Sequence, residues 1–192
     1  MTDVESQLPP EAPIAGTEIE TLLGSLERQR RIFAWKCGGL DAAGLRATIA
    51  ASTMTLGGLL KHMALVEDEY FSVRLLGRAP AAPWNAVNWD ADPDWEWRTA
   101  ATGTPDELMG LWHDTAARSR VAVAEVLADG SLDTRAHFVG RSGESPSLRR
   151  LLIDMIEEYA RHAGHADLIR EAVDGLTGED PALLDGHSPV SM

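Results

Sequence analysis

The sequence predicts an all-α fold, a four-helix bundle with a long loop between helices 2 and 3. Four stretches place apolar residues at the 3.6-residue spacing of a helix with one buried face. Threonine, serine and glycine residues stand where such helices begin and end. Four helices of roughly 20 to 27 residues, two of them joined by a long connection, fit a bundle better than any sheet fold.

Each predicted helix has its own start and stop signals. Thr17 and Thr104 are each followed three residues later by a glutamate, which is the pattern of a capping box, and Pro105 suits a first helical position. The predicted elements are a flexible arm over 1–16, helix 1 from the Thr17 cap to Gly38, helix 2 from after Thr55 to Gly77, helix 3 from the Thr104 cap to about Leu127, helix 4 from the Ser147 cap to Gly175, and a loosely attached tail over 176–192. Residues 17–175 then form one helical domain.

The segment 78–103 contains three prolines and is predicted to be a loop. It nevertheless carries four tryptophans, which are Trp84, Trp89, Trp95 and Trp97. A long loop with its own aromatic residues is either a packed cover over the core or the wall of an active site.

Composition narrows the class of protein. A chain of 192 residues with 44% hydrophobic residues can bury one sizeable core, so we look for one site. The formal charge of −13 repels a phosphate backbone, which argues against a nucleic-acid partner. We see no signal peptide and no apolar run long enough to span a membrane. The lone Cys37 cannot form an internal disulfide, so we expect a cytoplasmic protein in which Cys37 is an apolar filler.

The residues that can carry chemistry concentrate on helix 4. Glu158 and His162 are four positions apart and therefore leave the same helical face, and His165 extends that ridge. The ridge lies beside the apolar stripe, where ionisable groups are costly unless they share a cation. Two ligands on one helix need a third from a neighbouring helix, and His62 on helix 2 is the natural donor.

We therefore predict a divalent metal held by His62, Glu158 and His162, with zinc the first choice and nickel, iron or manganese also compatible. Three protein ligands leave a position open for water or substrate. Two alternatives stay open at this stage. His165 can replace Glu158 in the ligand set, or the histidines are packing residues without a metal. Glu67, Glu69 and Asp167 are interpreted as solvated carboxylates or as partners of an imidazole, and His113, His137 and His187 as surface or packing residues.

The segments TLGGLLKHMALVEDEYF (55–71) and SLRRLLIDMIEEYARHAGHADLIREAVDG (147–175) resemble the DinB-like superfamily, in particular its actinobacterial branch. In that superfamily a histidine of helix 2 and two residues four apart on a later helix hold a metal. The resemblance carries these roles over to His62, Glu158 and His162. Many members have histidine at the position of Glu158, whereas the related mycothiol-dependent maleylpyruvate isomerase also has glutamate there. His165 then orients a ligand or faces the substrate, and we take it as the candidate catalytic residue.

The resemblance also implies a function. Relatives with known activity are thiol S-transferases or isomerases that use a small thiol, which in actinobacteria is mycothiol. We therefore expect a metal-dependent transferase or isomerase that joins a small thiol to a small-molecule electrophile. The alternative is a stress protein that binds a metal or a small molecule without turnover. A homodimer is compatible with either function.

Overall fold

The computed structural model describes residues 13–178, and these form an all-α fold. The predicted arm over 1–16 and the predicted tail over 176–192 fall mostly outside this range. The helices are α1 (Glu18–Cys37), α2 (Ala42–Arg46), α3 (Leu56–Glu67, continued by a π-helical segment Asp68–Leu75), α4 (Trp95–Ala100), α5 (Pro105–Asp129) and α6 (Leu148–Asp174), with a short 3₁₀ turn at Trp84–Ala86. None of the helices in the described range is both long and apolar enough to cross a membrane.

The predicted N-caps are confirmed in detail. Thr17 and Thr104 each accept a hydrogen bond from the backbone of the glutamate three residues later, and that glutamate bonds back to the cap in a capping box. Thr55 and Ser147 cap α3 and α6 in the same way without the return bond. At the other end of α6, Gly175 adopts a φ of 78°, a left-handed conformation that glycine reaches without strain.

The predicted helix 2 is correct in extent but not uniform. It is α-helical to Glu67 and then widens into a π-helix that ends at Leu75. Its α-helical part packs against α5, α4 and α6, and its π-helical part packs against α5 and α6. Since α1 packs mainly along α6, the second long helix lies at the centre of the contacts.

The connection after helix 2 is not wholly a loop, which corrects the prediction for 78–103. It contains the 3₁₀ turn and α4, a six-residue helix that packs on α3. Trp84 is buried, and the other three tryptophans pack partly buried against the core. A short helix of this kind owes its stability to tertiary contacts and leaves little periodic signal in the sequence. The same reason explains why α2 was not predicted.

A polar network crosses the core between α1, helix 2, α5 and α6. We call it the buried network and define it as Arg30, Glu67, Trp112 and Tyr159. Arg30 donates two hydrogen bonds of 2.7 Å to the two oxygens of Glu67, and the Tyr159 hydroxyl donates a third of 2.7 Å. Trp112 Nε1 in turn donates to the Tyr159 hydroxyl at 2.8 Å. These contacts hold helix 2 and α6 in a defined register.

Candidate metal centre

Three of the predicted site residues come together between helix 2 and α6. His62 lies on α3, five residues before Glu67, while Glu158 immediately precedes Tyr159 on α6. The bond between Tyr159 and Glu67 therefore brings the adjacent turns of the two helices side by side. We call the group of His62, Glu158 and His162 the histidine cluster. One donor atom from each of its residues lies within 4.8 Å of the other two.

Both imidazoles of the histidine cluster face the same carboxylate oxygen. His62 Nε2 lies 3.3 Å from Glu158 Oε1, and His162 Nε2 lies 3.2 Å from that atom. The two imidazole rings meet edge to face with their centroids 5.0 Å apart. His162 is buried, whereas the side chains of His62 and Glu158 are 20% and 30% exposed. The cluster is therefore partly open to solvent at His62 and Glu158 and covered at His162.

Burial lowers the pKa of His162 to about 4, and the neighbouring His62 adds to that effect. His162 is consequently neutral at neutral pH, and its Nε2 can offer a lone pair. A neutral imidazole does not balance the charge of Glu158, so an ion pair with His162 is not what stabilises this arrangement. A shared cation would supply the missing positive charge.

The donor set of the histidine cluster fits a divalent metal. Two donor atoms that each lie about 2.1 Å from a tetrahedral zinc ion are about 3.4 Å apart. The separations of 3.3 and 3.2 Å from Glu158 Oε1 to the two imidazole nitrogens are close to that value, whereas the three donor atoms together span up to 4.8 Å and would draw closer around an ion. Two imidazoles and one carboxylate form a borderline ligand set that suits zinc and also nickel, iron or manganese.

His165 lies behind His162 with respect to this centre. Its Nδ1 is 3.3 Å from His162 Nδ1, the ring nitrogen that faces away from Glu158. This contact gives one imidazole a donor role and the other an acceptor role. Glu158, and not His165, is therefore the third residue whose donor atom lies close to those of His62 and His162.

Two residues of α4 contact His62: Trp97, one of the tryptophans considered for the wall of an active site, and Glu96, which was not predicted. Trp97 stacks on the His62 ring with centroids 4.8 Å apart and planes at 23°. Glu96 is buried, and its Oε1 lies 3.5 Å from His62 Nδ1, on the side of the ring opposite to Glu158. The only signal in the sequence was a carboxylate between two tryptophans in a segment predicted to be a loop.

The remaining candidates have other roles. Glu67 is completely buried in a pair with Arg30, so its interpretation as a solvated or imidazole-orienting carboxylate was wrong. Asp167 instead pairs with Lys36, and Glu69 pairs with Arg74. His113 and His137 are exposed, as predicted, and the prediction for His187 falls outside the described residues. The prediction for Cys37 as a buried filler is confirmed, and burial raises the pKa of its thiol far above the usual value.

Comparison of the sequence with known protein families identifies the family of this chain. Residues 21–175 match the sequence model of a family described as mycothiol-S-transferase. The chain belongs to the mycothiol-S-transferase family. That match covers both segments on which the resemblance to the DinB-like superfamily depended, so this assignment is confirmed. No individual curated protein matches the chain at a significant level.

A surface groove lies next to the histidine cluster. The groove has a volume of about 380 Å³ and is lined by Tyr70, Arg150, Asp154, Glu157, Glu158 and Arg161. A second groove of about 480 Å³ shares Arg150 and Asp154 with it and continues along α6 to Ser147. We call these two adjoining grooves the polar channel. Glu158 lies both in the histidine cluster and in the wall of this channel.

Proposed function

We propose that the protein is a metal-dependent S-transferase that joins mycothiol, or a similar small thiol, to a small electrophile. The observation that carries the proposal is the convergence of His62 Nε2 and His162 Nε2 on one oxygen of Glu158, in a chain of the mycothiol-S-transferase family. We also interpret the four long helices as a four-helix bundle of the DinB-like type. An isomerase would use the same thiol activation but would release the thiol again after the substrate has rearranged, whereas a transferase leaves the C–S bond in the product.

His62, Glu158 and His162 would hold the metal. A divalent ion there would bind the thiol sulfur and favour the thiolate near neutral pH. The protein's own cysteine is no substitute, because Cys37 is buried and its thiol resists ionisation. An external thiol therefore supplies the nucleophile.

His165 orients His162 in this proposal. Its Nδ1 contact with His162 Nδ1 fixes which nitrogen of His162 bears the hydrogen. That choice determines whether His162 Nε2 offers its lone pair toward Glu158. The thiol proton passes to solvent as the thiolate forms, and when the sulfur bonds to carbon the leaving group departs with the bonding electron pair. His165, whose Nδ1 would accept the hydrogen bond of His162 Nδ1–H, acts here by orienting that imidazole.

The polar channel along α6 is the expected path of the thiol. From Ser147 to Glu158 the helix rises about 16 Å at 1.5 Å per residue. Arginines, carboxylates and hydroxyl groups along this length can form hydrogen bonds to a polar thiol molecule. An apolar electrophile would instead approach from the side of Trp97, whose ring covers His62.

The test has two steps and uses full-length protein without an affinity tag. Elemental mass spectrometry first measures metal content in the wild type, His62→Ala, Glu158→Ala and His165→Ala. We expect about one metal per chain, lost in the first two variants and kept in His165→Ala. Transfer of mycothiol to 1-chloro-2,4-dinitrobenzene, followed by absorbance, should then require both the metal and the thiol.

The outcomes separate the two functions. Metal binding without thiol transfer to any of a panel of electrophiles would favour the alternative, a stress protein that binds but does not catalyse. A wild type that holds no divalent metal even when it is supplied overturns the proposal. A homodimer and a cytoplasmic location stay predictions, and sedimentation and cell fractionation test them.

A further inference from the structure

The helix α4 is clamped onto the part of α3 that carries His62. Gly58 makes the approach possible, since a Cβ atom there would lie 2.7 Å from Cε3 of the Trp97 ring. Lys61 Nζ donates to Thr99 Oγ1 at 2.6 Å and lies 4.0 Å from the ring centroid of Trp95. The contacts of Gly58 and Lys61 with Trp97, Thr99 and Trp95 therefore fix α4 against one turn of α3.

This clamp places the Glu96 carboxylate next to the ring nitrogen of His62 that faces away from the histidine cluster. Glu96 Oε1 and His62 Nδ1 are 3.5 Å apart, slightly beyond an ordinary hydrogen bond. Both His62 Nδ1 and Glu96 Oε2 are buried atoms without a hydrogen-bond partner in the described part of the chain. Unpaired buried polar atoms are costly, so a carboxylate with an unpartnered oxygen beside an unpartnered ring nitrogen points to a hydrogen bond between the two groups after a small shift of either side chain.

We propose that Glu96 is a positioning residue of the metal centre. It accepts a hydrogen bond from His62 Nδ1–H and so keeps the lone pair of the imidazole on Nε2, which points to Glu158 and His162. Trp97 stacks on the same ring and limits its rotation. The inference rests on the proposed function to the extent that His62 is taken as a metal ligand.

Glu96 is not itself a fourth ligand in this arrangement. The imidazole ring of His62 separates it from Glu158, because Oε1 of Glu96 faces Nδ1 and Oε1 of Glu158 faces Nε2. Burial lowers the pKa of Lys61, and the nearby carboxylate of Glu96 partly opposes that effect.

The test compares Glu96→Gln with Asp94→Asn, a matched variant that removes the same charge two residues away. Asp94 is exposed at the start of α4 and forms no side-chain cap. Zinc affinity is measured by competition with a chromophoric chelator. We expect Glu96→Gln to bind zinc about 10–100-fold more weakly than the wild type and Asp94→Asn to bind it equally well. The visible absorption spectrum of the cobalt-substituted protein should change in Glu96→Gln alone.

Two outcomes overturn the inference. One is an unchanged zinc affinity and cobalt spectrum in Glu96→Gln. The other applies even if that variant fails to fold: long-range ¹H–¹⁵N spectra of the zinc-loaded wild type would show His62 protonated on Nε2 instead of Nδ1. Failure of the proposed function looks different, because the wild type would then bind no zinc, or would bind it without transferring the thiol.

Discussion

The buried network and the histidine cluster join the same two helices, yet they differ in how completely their polar groups are paired. Tyr159 belongs to the first and its chain neighbour Glu158 to the second. In the buried network Glu67 accepts three hydrogen bonds, two from Arg30 and one from Tyr159, and all three are 2.7 Å long. Around Glu158 the two imidazole contacts are longer, 3.2 and 3.3 Å, and Nδ1 of His62 has no hydrogen-bond partner among residues 13–178.

This difference in pairing suggests different roles: the buried network stabilises the fold, and the histidine cluster is arranged to bind a ligand. Burial and the charge of Glu67 raise the pKa of Tyr159, so its hydroxyl stays a donor to that carboxylate. Burial alone would lower the pKa of Arg30, but Glu67 overrides it and raises that pKa. Every charge of the buried network is thus compensated by the protein itself. The histidine cluster has one carboxylate and a neutral His162, and a metal would complete it.

The largest effect on folding is expected from Glu67→Gln, which removes the completely buried one of the two carboxylates that pair with Arg30 and leaves only the partly exposed Glu27. Breaking a buried pair on one side lowers the free energy of unfolding by about 3–5 kcal/mol. Urea denaturation of the metal-free protein measures it. Glu69→Gln is the control, because its pair with Arg74 is partly exposed and should contribute less than about 1 kcal/mol. Equal losses in the two variants would contradict the structural role of the buried network.

Zinc should stabilise the wild type by mass action. At a free concentration 100-fold above the dissociation constant, the gain in free energy of unfolding is about 2.7 kcal/mol. A thermal melt with and without zinc measures the gain, and His162→Ala should lose most of it. A zinc-induced shift that persists in His162→Ala would place the metal elsewhere in the chain.

Local signals explain why the helix boundaries were predictable. A cap such as Thr104 needs only its own turn, so the sequence contains everything that determines it. The short α4 depends on Gly58, Lys61 and Trp95 meeting across the fold, and no local pattern records such contacts. The prediction of a loop there failed for that reason.

The same distinction applies to the site. Glu158 and His162 share one helical face, so their proximity follows from a spacing of four. The position of His62 opposite them depends on how the two helices pack, so the sequence indicated it only through the need for a third ligand and through the family resemblance. Glu96 was missed because it reaches His62 only through the packing of α4, and Glu67 was misjudged because the sequence does not show Arg30 across the core.

Tyr159→Phe is expected to lower the free energy of unfolding by less than Glu67→Gln does. The substitution removes the hydroxyl that donates to Glu67 and accepts from Trp112, and leaves the ring in place. A buried donor without its acceptor and a lost bond to a charged group together cost about 2 kcal/mol. Urea denaturation beside Tyr70→Phe, a partly exposed control, measures the loss. Metal content should be unchanged, and its disappearance would show that the two clusters are not independent.

The smallest effect on folding is expected from Glu158→Ala in metal-free protein, and it separates the two clusters most clearly. Glu158 is 30% exposed and contacts a neutral His162, so its removal should change the free energy of unfolding by no more than about 0.5 kcal/mol. Urea denaturation in a chelator measures this, and zinc content of the same variant should fall to background. A destabilisation as large as that of Glu67→Gln would mean that the histidine cluster holds the helices together and that its arrangement needs no metal. A stability close to the wild type together with lost zinc would mean that the carboxylate serves binding, one residue away from a hydroxyl that serves the fold.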